Sequence, residues 1–200
     1  MELQHVNVKV LLRNPEEIDL PAVVPVFHSW IQNQGGGELL LDVADYRHVH
    51  AGPGIVLIGH AGNYSVDDTD GRLGIRYNRK IPLAGTNQDR LVQAASAALS
   101  ACARLENEPL LEGALRFNGR EVDVRINDRL LAPNTEETRR AAHGEFQTFF
   151  SNLFAGPEFD LAYPPEPRRS FGIRATAFEL FDTATVLDNL CSLAAKAGQP

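Results

Sequence analysis

Residues 37–80 read GELLLDVADYRHVHAGPGIVLIGHAGNYSVDDTDGRLGIRYNRK, and they decide the fold that we predict for the chain. Apolar runs in this stretch are separated by Gly52-Pro53-Gly54 and by Asp70-Gly71. Asp-Gly is a strong hairpin signal, because both central positions of such a turn favour a positive φ. We therefore predict three antiparallel strands joined by two tight turns. The stretch also holds three of the six histidines in the chain.

Strand and helix signals continue on both sides of this stretch. Alternating apolar and polar residues predict strands at 6–12, 114–117, 120–126 and around 170–176. Asn118-Gly119 predicts a hairpin between 114–117 and 120–126. Apolar residues at helical spacing predict helices near 26–31, from Thr86 to about 107, from about 136 to 154 and from about 182 onward. Thr86 and Asn134 are the predicted caps of the second and third helices.

The fold class predicted from this order is α+β, with a mainly antiparallel sheet built from hairpins and about four helices packed on it. We predict one domain over residues 1–200, with a split near residue 109 as the alternative. A weak internal duplication is a further hypothesis, since strand, helix and strand follow one another in 8–42 and again in 122–161.

The net charge of the chain limits the kinds of partner that we expect it to bind. A net charge of -7 and a pI of about 5.3 argue against nucleic-acid and anionic membrane partners, because both are polyanions. Arg168, Arg169 and Arg174 are the nearest candidates for a local basic patch, although solvated surface is the simpler interpretation. No basic and apolar leader is visible at the N-terminus, and no apolar run approaches the ~18 residues that span a bilayer. We expect a cytoplasmic protein in which Cys102 and Cys191 are buried, reduced thiols.

The pair His48 and His50 is the main candidate for chemistry. Residues two apart on a strand face the same side, so both imidazoles would share one face. If Gly52-Pro53 centres the turn, the partner strand brings His60 opposite Tyr46 and onto that face. A shift of register by one residue would move His60 to the other face. Three histidines with Asp42 would suit zinc or another divalent metal.

Two classes of function follow from these observations. The leading hypothesis is a non-catalytic cytoplasmic protein without a cofactor that binds a protein partner or self-associates, most simply as a twofold dimer. The alternative is a metal-dependent hydrolase. In that enzyme His48, His50 and His60 bind the metal, and Asp42 or Asp45 serves as a further ligand or as the general base.

Overall fold

The computed structural model describes residues 1–34, 37–156, 158–166 and 168–197. This part of the chain forms one antiparallel sheet of eight strands and four α-helices, which confirms the predicted α+β class. The strands are β1 (Val6–Leu12), β2 (Leu40–Asp45), β3 (Ile55–Gly59), β4 (Gly62–Asp67), β5 (Gly74–Arg79), β6 (Phe117–Ile126), β7 (Phe159–Ala162) and β8 (Gly172–Ala177). The helices are α1 (Val23–Asn33), α2 (Asn87–Glu106), α3 (Glu136–Leu153) and α4 (Thr183–Ala197).

The strands lie in the order β2-β3-β4-β5-β1-β6-β8-β7, so β1 is near the centre of the sheet. The alternation in β1 decides which face is covered, because successive side chains point to opposite faces. Val6, Val8 and Val10 are buried in the hydrophobic core beneath the helices. Helix α2 packs on β1 and β5, α4 on β6, and α1 on β2 and β3. Asn7 and Lys9 point to the other face, which we call the open face.

The hairpin between β4 and β5 confirms a connection at Asp70-Gly71, but residues 37–80 form four strands and not the three predicted, because a further turn after Gly59 separates β3 from β4. The predicted tight turn at Gly52-Pro53-Gly54 is wrong, since β2 and β3 are joined by the loop 46–54. Asp67 pairs with Gly74, and both Asp70 and Gly71 have a φ of 67°. The connection curls back, so that the backbone carbonyl of Thr69 accepts a hydrogen bond from Lys9 on the open face.

The predicted hairpin at Asn118-Gly119 is wrong, because both residues lie inside the ten-residue strand β6. The pairing of β1 with β6 is irregular at this point. A Cβ on Gly119 would lie 2.7 Å from the backbone carbonyl oxygens of Phe181 and Asp182. The glycine therefore permits a close approach of two chain segments, and no turn is formed.

The helix ends agree with prediction at one cap and differ at another. Thr86 and Asp89 form a full capping box at the start of α2. Helix α3 is capped by Thr135, whose hydroxyl accepts the backbone N–H of Thr138. The predicted cap Asn134 instead donates its side-chain amide to the carbonyl of Glu166.

Both cysteines are free thiols, as predicted. Cys102 is buried as predicted, whereas Cys191 is exposed, because it lies on the solvent side of α4. Some proposed helix stops, at Gly35, Gly36 and Pro157, lie outside the described residues. No helix within the described ranges is long and apolar enough to cross a membrane.

Candidate binding site on the open sheet face

A row of asparagines crosses the open face. Asn7 on β1 pairs with Asn78 on β5, and Asn78 pairs with Asn63 on β4. Directly opposite residues in a sheet have Cβ atoms ~5 Å apart, so the three amides form a continuous strip. On the other side of Asn7 the strip continues to Arg125 on β6.

A charged row runs parallel to the asparagine row and is displaced from it by two residues along each strand. It comprises Ser65, Arg76, Lys9, Asp123 and Arg174, from β4 to β8. Arg174 donates to Asp123 through Nε, over 2.6 Å, and its Nε also lies 3.0 Å from Glu121. The guanidinium of Arg72 pairs with the same Glu121 carboxylate. The three cations of the row are thus compensated by Asp123 within it and by the neighbouring carboxylates Glu121 and Asp67.

Lys9 and Asp67 form the buried centre of the charged residues. Lys9 Nζ lies 2.7 Å from Asp67 Oδ1, and their side chains are 4% and 0% exposed. Arg76 approaches the second oxygen of Asp67 at 3.3 Å, and the backbone N–H of Thr69 donates to the first. Burial alone would raise the pKa of Asp67, but the charges of Arg76 and Lys9 and these hydrogen bonds outweigh it and leave that pKa lowered.

Asp70 ties the β4–β5 connection to the other half of the molecule. Its two oxygens accept from Arg125, at 2.8 Å, and from Arg169, at 2.5 Å. Partial burial acts to raise the pKa of Asp70, but the hydrogen bonds and charges of Arg169 and Arg125 lower it overall. Arg169 and Arg174 are thus paired with carboxylates, so these two members of the candidate basic patch are neutralised.

A groove of about 540 Å³ lies over the asparagine row. Its rim is formed by loop residues that include Tyr46, Thr69 and Ser170. The Oδ1 atoms of Asn7 and Asn63 are buried and have no hydrogen-bond partner among the described residues. Buried polar atoms are nearly always hydrogen-bonded, so these two acceptors have hydrogen-bonding capacity that the described residues do not use. Rotation of either amide would turn its oxygen towards the groove.

The three histidines lie at opposite ends of one hairpin. His48 and His50 are exposed in the loop between β2 and β3, and His60 follows β3 at the other end, where its N–H donates to Leu39. The predicted register is wrong, because the pairing of Leu40 with Gly59 brings His60 next to Leu39 and not opposite Tyr46. The five residues of β3 separate the loop that holds His48 and His50 from His60 by about 16 Å.

The predicted carboxylates do not join those histidines. Asp42 is exposed and accepts the backbone N–H of Val43, while Asp45 forms an ion pair with Arg47. Hydrogen bonds from Arg47 lower the pKa of Asp45 to about 2. Over the described residues, no three His, Cys, Asp or Glu side chains are grouped so that they could hold a metal ion. Zinc binding stays a prediction, to be tested by equilibrium dialysis with wild-type protein and His48→Ala.

Comparison with known proteins gives no family for this chain. The sequence matches no protein-family model and no curated protein, and the structure matches no solved structure. Function must therefore be inferred from the open face itself.

Sequence reasoning missed the open face as a site, although its signal was present. The polar members of the alternating segments 6–12 and 120–126 were used only to predict strands. In the structure these polar residues line the groove and form part of the charged row. Their meeting depends on which strands are neighbours and in which register, and alternation within one strand gives neither.

Proposed function

We propose that this chain is a non-catalytic binding protein that holds a protein partner against the open face of its sheet. The observation that carries the proposal is the pair of orphan acceptors, Asn7 Oδ1 and Asn63 Oδ1, in the floor of the open-face groove. A row of uncharged amides offers hydrogen bonds to a partner without the large desolvation penalty of bare charges.

The dimensions of the face favour a protein over a small molecule. Eight strands spaced about 4.8 Å apart and about 20 Å long give a face of roughly 700 Å². A stable protein–protein interface buries about 800 Å² on each partner. The open-face groove continues on one side into a second hollow of about 470 Å³ lined by Arg72, Arg125 and Arg174. Tyrosine and arginine, which both occur here, are enriched in protein interfaces.

The state of the carboxylates supports a binding role without catalysis. A general base needs a pKa near the working pH. Asp67 and Asp70 have lowered pKa values and are fully engaged by cations, so they are poor proton acceptors near neutral pH. The free thiols Cys102 and Cys191 are compatible with a reducing compartment, and we propose that the protein acts in the cytoplasm.

The experiment compares two variants that add the same charge to different faces. Asn63→Arg with Asn78→Arg fills the open-face groove. Ala141→Arg with Ala184→Arg places two arginines on exposed helix positions. Proteins retained by the immobilised wild-type chain are purified, and their affinity for all three forms is measured by calorimetry.

A partner that binds through the open face should lose at least tenfold in affinity for the groove variant and keep its affinity for the helix variant. Hydrogen exchange on the complex should show new protection in β1, β4 and β5. Equal affinity for the groove variant and the wild type would show that the partner binds elsewhere. Failure to purify any protein that binds the wild type would also count against the proposal.

A further inference from the structure

Three cationic residues and one carboxylate, that of Asp128, lie at one end of the open-face groove. Arg79, Lys80 and Arg129 line a shallow hollow of about 540 Å³, together with Asn78 and Asn127. Asn78 and Asn127 also line the groove over the asparagine row, so the two concavities are continuous. Within the described ranges, none of the three cations belongs to an ion pair, in contrast with Lys9, Arg76, Arg125 and Arg174 on the open face.

Backbone carbonyls hold these cations in place without neutralising them. Arg79 Nε donates to the carbonyl of Ile81 over 2.8 Å, and Lys80 Nζ donates to that of Gly59. Arg129 donates to the carbonyl of Arg168. Each side chain thus gives one N–H to the protein and keeps other donors for a ligand. Positioned donors of this kind lose less conformational entropy on binding than free side chains do.

The carboxylate of Asp128 also lines the hollow, but it is engaged by its own loop. Asp128 Oδ1 accepts the backbone N–H groups of Leu130 and Leu131 and thereby fixes the loop that carries Arg129. Three cations and one carboxylate give the hollow a positive net charge, which is unexpected on a chain with a net charge of -7. Such a cluster attracts anions, and charged hydrogen bonds to arginine are about twice as strong as neutral ones.

We infer that this hollow, which we call the basic end of the groove, binds carboxylates of an acidic segment in the protein partner. The inference rests on the proposed function and adds the chemistry of the partner. The hollow is shallow, wide and open to solvent, which suits several separate carboxylates better than one enclosed phosphate. Leu130, 90% exposed at the rim, offers an apolar contact to the same segment.

The test uses a fluorescent octaglutamate peptide and polarisation at low salt. The site variant is Arg79→Gln, Lys80→Gln and Arg129→Gln. The matched control is Arg13→Gln, Arg116→Gln and Arg140→Gln, three arginines exposed elsewhere on the surface. Both triple variants lower the net charge equally, so a difference between them reports on position and not on overall charge. Thermal melts establish that both variants are folded.

We expect the wild type and the control to bind the peptide alike and the site variant to bind at least tenfold more weakly. Affinity should fall as salt rises, since screening acts on exposed charges. Equal weakening in both triple variants would overturn the inference. So would inorganic phosphate or single-stranded DNA binding to the basic end more tightly than the peptide. The two proposals can fail separately. If the peptide does not bind the wild type but the partner still loses affinity for the variant with Asn63→Arg and Asn78→Arg, this inference is wrong and the proposed function stands.

Discussion

At the scale of single residues, the buried ion pair Lys9–Asp67 is the contact on which the open face depends. Both side chains are buried, so each charge is stabilised by the other. Removal of one member of a buried pair commonly costs 3–5 kcal/mol, because the remaining charge stays buried and uncompensated. Arg76 remains near Asp67, whereas among the described residues Lys9 Nζ is hydrogen-bonded only to Asp67 and Thr69.

We predict that Asp67→Asn lowers the free energy of unfolding by about 3 kcal/mol at pH 7. The folded pKa of Asp67 lies below its ordinary value of 3.8, so protonation favours the unfolded chain. The stabilising contribution is complete above pH 3.8 and is lost as the pH falls through the folded pKa. The gap between wild type and variant should therefore narrow below pH 4, as measured by urea unfolding. Asp160→Asn, at an exposed position of β7, should show no such gap.

The histidines show which features of a site can be predicted from the spacing of single residues. His48 and His50 were predicted to share one face of a strand, but both lie in the loop that follows β2. The position of His60 relative to them depended on the length of the loop, and the loop begins directly after Asp45. Spacing along the chain cannot fix a turn centre when a loop of nine residues, 46–54, carries several turn signals.

At the scale of elements, periodicity predicted the helices and the strand β1 well, whereas turn signals failed at Gly52-Pro53 and at Asn118-Gly119. β1 and the helices α2 and α3 were predicted within a residue or two, because each has a clear periodicity and a capping residue or turn residue at its end. Asn118-Gly119 failed because a glycine also serves where two backbones come close. That use requires a contact with residues 181–182, more than 60 positions away in the chain, which no local pattern shows.

We predict that Gly119→Ala destabilises the fold by about 1–3 kcal/mol, since the added methyl group would meet backbone carbonyls that cannot rotate away. The control is Gly144→Ala on the exposed side of α3, where a Cβ would meet no atom within 4 Å. That substitution should stabilise the helix by about 1 kcal/mol. Urea unfolding of both variants measures the effects. A hairpin at Gly119 would instead tolerate the substitution with little change.

At the scale of the whole molecule, the sheet divides the surface into regions of different chemistry. The helices cover one face, the charged and asparagine rows occupy the other, and β2 and β7 form the two edges. The α+β class could be predicted because it needs only the kinds and order of the elements. The candidate site could not, because it is assembled from four or five strands whose neighbours are set by the complete topology.

The edge strand β2 is where we expect the chain to self-associate. Leu39 and Leu41 are 56% and 52% exposed, and Val49 in the following loop is 44% exposed. Exposed apolar side chains beside unpaired backbone groups favour pairing with a second strand, and a twofold axis would pair β2 with its own copy. The other edge strand, β7, has only four residues and offers a shorter ladder. Such a dimer leaves the open face free for a partner.

The prediction is a light-scattering mass of twice 22.0 kDa for the wild type at high micromolar concentration. Leu39→Lys with Leu41→Lys should reduce the mass to that of the monomer, because two buried lysines on each chain would face their copies across the twofold axis. Phe178→Lys with Leu180→Lys adds the same charge at exposed apolar residues after β8 and should leave the dimer intact. A monomeric wild type would rule out self-association. A dimer that survives the lysines in β2 but not those at 178 and 180 would place the interface at the segment after β8.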